Sequence, residues 1–290
     1  MSPKLVATVS ISYWGCGPYV RQAVESILAQ TDPRLIVVVI NDGDLKDPPA
    51  IHLSGIDDPR LVLFDSPVNH GPYWNHEVVL RASSTPFLLI QDADDTSHPT
   101  RLARLLAAIG DAPFAASQLG GQYYGAANSP ANRRLGPTHQ HRYSHASLHC
   151  VRDLLDLGGY YLGHRVASDT LIMNTQALIG EMRGTPCRTV EEKLYVLRSR
   201  ADSLMHAPGT RLGSSYRQKL WSIYGKAWKQ VWEAQRAPDL VPRARELLFA
   251  HVTADERRQI LEMAKNLQAK LERVLQGGSL IKTQSLIGDE

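Results

Sequence analysis

Residues Leu35–Ile40 read LIVVVI, six aliphatic side chains in a row, five of them β-branched. A run this short and this branched favours a strand, and with no polar position to offer to water it favours one buried on both faces. Leu5–Tyr13 (LVATVSISY) precedes it, and Leu61–Phe64 (LVLF) and Pro86–Ile90 (PFLLI) follow. The intervening segments carry the helical period. Pro18–Gln30 has Val20, Ala23, Val24, Ile27 and Leu28 on one face, with Pro18 suited to a first turn. Tyr73–Ala82 is a second helix, and Pro99–Ile109, with Leu102, Leu105, Leu106 and Ile109, a third. Strand and helix alternating at this spacing predict an α/β chain with a mostly parallel sheet covered on both faces. Such sheets bind ligands beyond the carboxyl ends of their strands. The polar residues there are Tyr13 and Trp14, Asn41 and Asp42, Asp65, and Asp92, Asp94 and Asp95.

The second half is less regular. Asn128–Ser144 reads as an exposed loop, Leu154–Gly159 as a helix stopped by Gly158-Gly159, and Val166–Ile179 as a buried helix. Ser203–Arg217, with two glycines and few apolar residues, reads as a loop. Leu220–Gln235, Val241–His251 and Thr253–Leu275 read as helices; Trp221–Trp232 within the first, and the last, are amphipathic and suited to core packing or a homodimer contact, and the tail from Gly277 is expected to fray. Residues 1–111 hold 8 Lys/Arg against 13 Asp/Glu, whereas the remainder holds 24 against 16. The basic residues are interleaved with acids, so the asymmetry suits a cation on one side and an anionic ligand on the other, not nucleic acid. No run of about 18 apolar residues predicts a membrane span. Met1–Lys4 leads straight into a strand without a signal peptide, and three cysteines argue against a disulfide framework. Together these features lead us to expect a cytoplasmic protein.

Phe87–Asp95 (FLLIQDADD) is the most informative stretch. An apolar strand delivers Asp92 and Asp94 two residues apart, so they point the same way in an extended chain. Crowded carboxylates repel unless a cation or a donor intervenes. Mg²⁺ or Mn²⁺ takes one or two carboxylates and completes its shell with water and phosphate oxygens. The alternative for this segment is a solvated turn with Asp95 capping the helix from Pro99. Asp92, Asp94 and Thr96 also resemble the Asp-x-Asp-x-Thr signature of haloacid-dehalogenase-like phosphatases, but that family carries it on its first strand. A phosphatase or nucleotidyltransferase, and a non-catalytic nucleotide-binding module, are the rival readings.

A longer resemblance covers more of the chain. Val9–Leu28 (VSISYWGCGPYVRQAVESIL), Ala29–Asp44 (AQTDPRLIVVVINDGD), Asn69–Asn75 (NHGPYWN) and Asp92–Asp95 resemble, in order and spacing, family 2 glycosyltransferases. The resemblance implies a GT-A fold, Rossmann-like in its central sheet, over residues 1–215. Residues 1–111 would be the nucleotide-sugar half and 112–215 the acceptor half. A helical C-terminal extension would follow over 216–276, then a tail over 277–290.

The resemblance also implies roles. Ser12, Tyr13 and Asp42 would hold the base and ribose of a nucleotide-diphosphate sugar. Asp92 would lean to ribose or metal, and Asp94 would ligate Mn²⁺ or Mg²⁺ on the diphosphate. Asn69 and Asn75 would fix loop geometry. After Gly158-Gly159-Tyr160, Ser168-Asp169 stands where the family has an acidic pair. That makes Asp169 the expected base for an inverting transfer, against the simpler expectation that it caps its helix or pairs with Arg165. Arg198, Arg200 and Arg211 would contact the diphosphate, and His206 would be a third metal ligand. Ile11, Trp14 and Ser168 depart from the family's usual Pro, Asn and Glu. His139, His141, His145 and His149 suggest a polar loop facing the acceptor, with a zinc site the less favoured reading. A UDP-sugar is the expected donor, and the acceptor is left open among a small metabolite, a peptide and a glycan.

Overall fold

The computed structural model describes residues 4–122, 147–198, 200, 203–204, 206–207, 209–211 and 213–277. The Asn128–Ser144 loop with His139 and His141, then His145, and the tail beyond Gly277 lie outside the described residues.

The four apolar runs form the parallel half of one sheet: β1 (Ala7–Tyr13), β2 (Leu35–Asp42), β3 (Leu61–Ser66) and β4 (Phe87–Asp92). They lie side by side as β3-β2-β1-β4. The sheet continues through β7 (Ser147–Cys150), β6 (Phe114–Gln122), β8 (Arg188–Arg198) and the two-residue β5 (Thr96–Ser97). β7 is antiparallel to both its neighbours, β8 is parallel to β6, and β5 is antiparallel to β8. Strands β6–β8 are not expected from sequence. β6 is FAASQLGGQ, poor in β-formers, and β8 alternates charged with apolar residues.

β2 is buried along its whole length, as its composition demands. Val37 and Val39 face α1 (Gly17–Leu28) and α4 (Arg101–Ile109), joining Val20, Val24, Ile27, Leu102 and Leu105 in one core. Ile36, Val38 and Ile40 face the other way, onto α3 (Pro72–Ala82) through Val78 and Val79. Each such side chain contributes roughly 1.5–3 kcal/mol when buried, so the two-sided strand anchors both layers at once. Gln30 couples the first layer's helices: its side chain donates to His98 O at 2.8 Å and accepts from Leu102 N–H at 2.8 Å.

The second core also receives the rest of the chain. α5 (Val151–Leu157), α6 (Ser168–Met182), α7 (Ser215–Glu233), α8 (Leu240–Leu248) and α9 (Ala254–Gly277) follow in order, α2 (Pro49–His52) being a short turn on the first side. Leu220, Tyr224, Leu248, Ile260, Leu267 and Leu271 share one apolar cluster with Trp74, Leu88 and Ile90. The C-terminal helices are therefore integral to the core beneath α3, and Lys270 Nζ donates to Leu63 O at 2.5 Å. α9 opens on a capping box, in which Thr253 N–H donates to Glu256 and Glu256 N–H to Thr253 Oγ1. The same Glu256 accepts from Tyr161 Oη at 2.8 Å.

The β2 exit turn depends on Gly43. Its φ is +76°, and a Cβ there would lie 2.8 Å from both Val68 C and Asn69 N. Gly43→Ala is expected to lose about 2–4 kcal/mol, combining left-handed strain with a backbone collision. Gly55→Ala, at φ +82° with open space around it, is expected to lose only about 1 kcal/mol. Denaturant midpoints measure both, and equal losses would show that the approach of the Val68–Asn69 backbone contributes nothing.

Candidate active site

The register sets the site. Ser12 lies opposite Asp92 across β1 and β4, Tyr13 opposite Asn41, and Asn41 opposite Asp65. Polar residues thus line the carboxyl ends of four adjacent strands. Asp92 ends β4 and Asp94 and Asp95 follow it, each of the three offering a carboxylate oxygen within 4.8 Å of the others. Burial, and then the charges of its neighbours, push both Asp92 and Asp95 well above the usual carboxylate range.

The three carboxylates have different surroundings. Asp95 is buried and accepts from Tyr195 Oη at 2.7 Å and from Arg198 N–H at 2.6 Å. It ties β4 to β8 and does not cap α4, where Thr100 is the N-cap residue and its side chain, bonded to His98 Nδ1 at 2.9 Å, makes no capping bond. Asp94 accepts from Arg200 Nε at 2.7 Å. Asp92 donates its backbone N–H to Tyr195 Oη at 3.1 Å and is half-buried. Beneath them Arg101 is fully buried. It donates to Gln91 Oε1, Ser97 Oγ and Ile90 O, and lies 4.7 Å from the Tyr195 ring centre. Burial lowers its guanidinium to about 10, against the pull of Asp95 and Asp92. An all-carboxylate set of three oxygens suits a hard divalent ion such as Mg²⁺ or Mn²⁺.

α6 brings Asp169 to this cluster. Ala167, at φ +66°, is the one non-glycine residue with positive φ among the described residues, and it sits immediately before the helix. That turn puts Ser168 under Tyr224 and leaves Asp169 half-buried in the first helical turn. Asp169 Oδ1 accepts from Tyr73 Oη at 2.8 Å. Burial first, then Asp169, raise the Tyr73 phenol, and the charge of Asp92 acts on it in the same direction. Asp169 in turn acts on Asp92. Arg165 donates to Asn69 Oδ1, closing the α6 entry onto the loop before α3.

The other expected site residues fall as follows. Ser12 Oγ accepts from Asn75 Nδ2 at 2.8 Å. Tyr13 is fully buried, with its hydroxyl donating to Asp47 O at 2.6 Å. Asp42 is buried and accepts the amides of His70 and Gly71, each at 2.8 Å, so both its oxygens hold the loop that carries Asn69. Arg198 Nε donates to Asp94 O at 2.9 Å, and its guanidinium lies over Tyr19. Arg211 is exposed on the turn before α7. His206 is not part of the carboxylate group: its Nδ1 lies 2.7 Å from Arg200 O and 2.9 Å from Ser203 Oγ. His149 is fully buried in β7, hydrogen-bonded to Gln176, and so is not on an acceptor-facing loop.

Glu77, Tyr73, Arg101 and Tyr195 are supporting residues that the sequence reading leaves out. Glu77 is buried and accepts from Tyr160 N–H, from Tyr161 N–H at 3.1 Å and from Arg81 Nε at 2.6 Å. It therefore fixes the Gly158–Tyr161 bend that leads into α6. The i,i+4 spacing of Glu77 and Arg81 was its only local signal. Glu77→Gln is expected to lose about 2–3 kcal/mol of stability by weakening charge-assisted bonds. Thermal or urea unfolding checks this, and an unchanged midpoint would remove Glu77 from that role.

Comparison with known proteins agrees with this architecture. The profile of Glycosyl transferase family 2 matches residues 8–161, which is more than half of the chain. The chain belongs to that family. It is similar to the succinoglycan biosynthesis protein ExoO of Rhizobium meliloti (strain 1021), at 30% identity over 99 residues. That match spans 34% of this chain and 28% of the relative, well under two thirds of its length. Among solved structures, S. aureus TarS 1-349 in complex with UDP aligns over 96% of this chain and 93% of its own, at 14% identity and a TM-score of 0.52. The mannosyltransferase PcManGT from Pyrobaculum calidifontis, in complex with GDP-Man and Mn2+, aligns over 96% and 77%, at 18% identity and a TM-score of 0.53. These likenesses show the GT-A fold. No helix among the described residues is long and apolar enough to cross a membrane.

Proposed function

We propose that the protein is an inverting, metal-dependent glycosyltransferase that moves a sugar from a UDP-sugar to an acceptor hydroxyl. The observation that carries this is the grouping of Asp92, Asp94 and Asp95 at the carboxyl end of β4, with Asp169, from a helix far along the chain, near enough for its charge to act on Asp92. Asp94 and Asp92 would hold Mn²⁺ or Mg²⁺. Such an ion neutralises charge that builds on the diphosphate leaving group. Asp169 would accept the proton of the acceptor hydroxyl as that oxygen attacks from the face opposite the diphosphate. Tyr73 keeps the carboxylate aimed, since its hydroxyl already donates to Oδ1.

Ser12, Asp92, Arg198 and Arg200 border the donor end of the sheet in this reading. Tyr13 and Asp42 shape its floor, because their polar groups are engaged by Asp47 and by the His70 and Gly71 amides. Stacking on the base then falls to Trp14, which is 59% exposed at the same strand end. Arg211 is assigned to the diphosphate from family resemblance. TarS with UDP supports a uridine donor, and PcManGT with GDP-Man and Mn2+ supports a divalent ion. The test is a panel of nucleotide sugars incubated with the protein and mixed acceptors, with Mn²⁺ or with EDTA. Metal-dependent release of UDP is expected. Equal release in EDTA would sink the metal assignment, and release of GDP alone would sink the uridine assignment.

A further inference from the structure

Arg200 stands where a cation would act on Asp94. The pair is largely sequestered, its side chains being 11% and 14% exposed. It is thus more than a surface ion pair of negligible worth. The same guanidinium reaches Gly15 O at 3.4 Å and Cys16 Sγ at 3.3 Å, and lies 5.3 Å from the Tyr19 ring centre. Arg198 lies 4.6 Å from that ring centre and is tied to Gln22 and to the Asp94 carbonyl. Tyr19 therefore serves as a shelf for two guanidinium groups at the rim of the carboxylate trio. A divalent ion held by Asp94 would compete with Arg200, which donates to Oδ2 of that carboxylate. An arginine fork fits a diphosphate as well as it fits a carboxylate.

We propose that Arg200 is a place-holding cation that exchanges partners during donor loading. Without ligand it neutralises Asp94. When cation and donor arrive, it yields Asp94 to the ion and turns, still on the Tyr19 shelf, to the diphosphate oxygens. This rests on the donor and metal reading above. It adds a coupling: a cation arriving alone must break the Arg200–Asp94 pair and offers the guanidinium no new anion in exchange. A cation arriving with a diphosphate supplies that new partner. Cation and nucleotide therefore each tighten the other's binding, by the same factor.

The test titrates Mn²⁺ calorimetrically into the full chain, with and without UDP, for wild type, Arg200→Ala and Arg200→Lys. UDP is expected to tighten Mn²⁺ binding by about tenfold or more in the wild type. Arg200→Ala is expected to bind Mn²⁺ alone about tenfold tighter than wild type, with most of the UDP effect gone. Arg200→Lys keeps the charge but not the fork, so it should retain weak Mn²⁺ binding with a reduced UDP effect. Melting curves in EDTA verify that the variants fold, and the Lys variant carries the test should the Ala variant not fold. An Arg200→Ala protein with unchanged or weaker Mn²⁺ affinity and undiminished UDP coupling would overturn the exchange while leaving the donor reading intact. Absence of any Mn²⁺ or UDP binding in the folded wild type would overturn both.

Discussion

Asp169→Asn is expected to leave UDP affinity unchanged and to cut turnover by about 10²–10⁴-fold. The substitution keeps the shape of the side chain and the acceptor oxygen that Tyr73 Oη addresses at 2.8 Å. It removes only the ability to take a proton. Asp169 lies on α6, on the opposite side of the reacting centre from the diphosphate in the proposed reading, so donor contacts should survive. Single-turnover transfer rates and UDP titrations on the same preparation separate the two effects. Unchanged turnover would remove Asp169 from the base role. Lost UDP binding would instead place it among the donor contacts. Tyr73→Phe offers a graded comparison, since it leaves the carboxylate but removes the bond that aims it.

Asp94→Ala is expected to weaken Mn²⁺-dependent UDP binding by about 100-fold or more, because it leaves Asp92 as the one carboxylate assigned to the ion. The same change releases Arg200 from its partner, so residual binding of UDP without metal should persist. Asp95 behaves differently. Its oxygens are engaged by Tyr195 and the Arg198 amide, so Asp95→Asn is expected to lower stability first and donor binding only as a consequence. If the two variants had the same profile, the division between a ligating and a structural carboxylate would be wrong.

The parallel half of the sheet was legible in the sequence because its signals are local. LIVVVI can be little else than a strand buried on both faces, and of the aspartates after FLLIQ, Asp92 ends its strand while Asp94 and Asp95 sit two and three residues beyond it. The antiparallel part was not legible. β6 is Ala- and Gly-rich and β8 carries Glu191, Glu192 and Lys193 in the middle of its run. Their membership of the sheet is decided by partners, not by propensity. The C-terminal helices show the same limit. Amphipathic spacing predicted the helices, but not that their apolar faces join Trp74 and Ile90 in one core. At the site, residue types were foreseeable and their couplings were not. Asp94 pairs with Arg200 and Tyr73 with Asp169 across about a hundred residues of chain. Asp42 drew notice as a polar residue at a strand end, yet its two oxygens are engaged by backbone amides that no sequence pattern announces.

The central claim is that the strand-end carboxylates bind a nucleotide diphosphate through a divalent cation. Its most direct test is a calorimetric titration of UDP into the folded wild-type protein, once in Mn²⁺ and once in EDTA. The expected result is saturable binding at one site in Mn²⁺ that weakens by at least about tenfold in EDTA. Equal affinity in both buffers, or no binding in either, would contradict it.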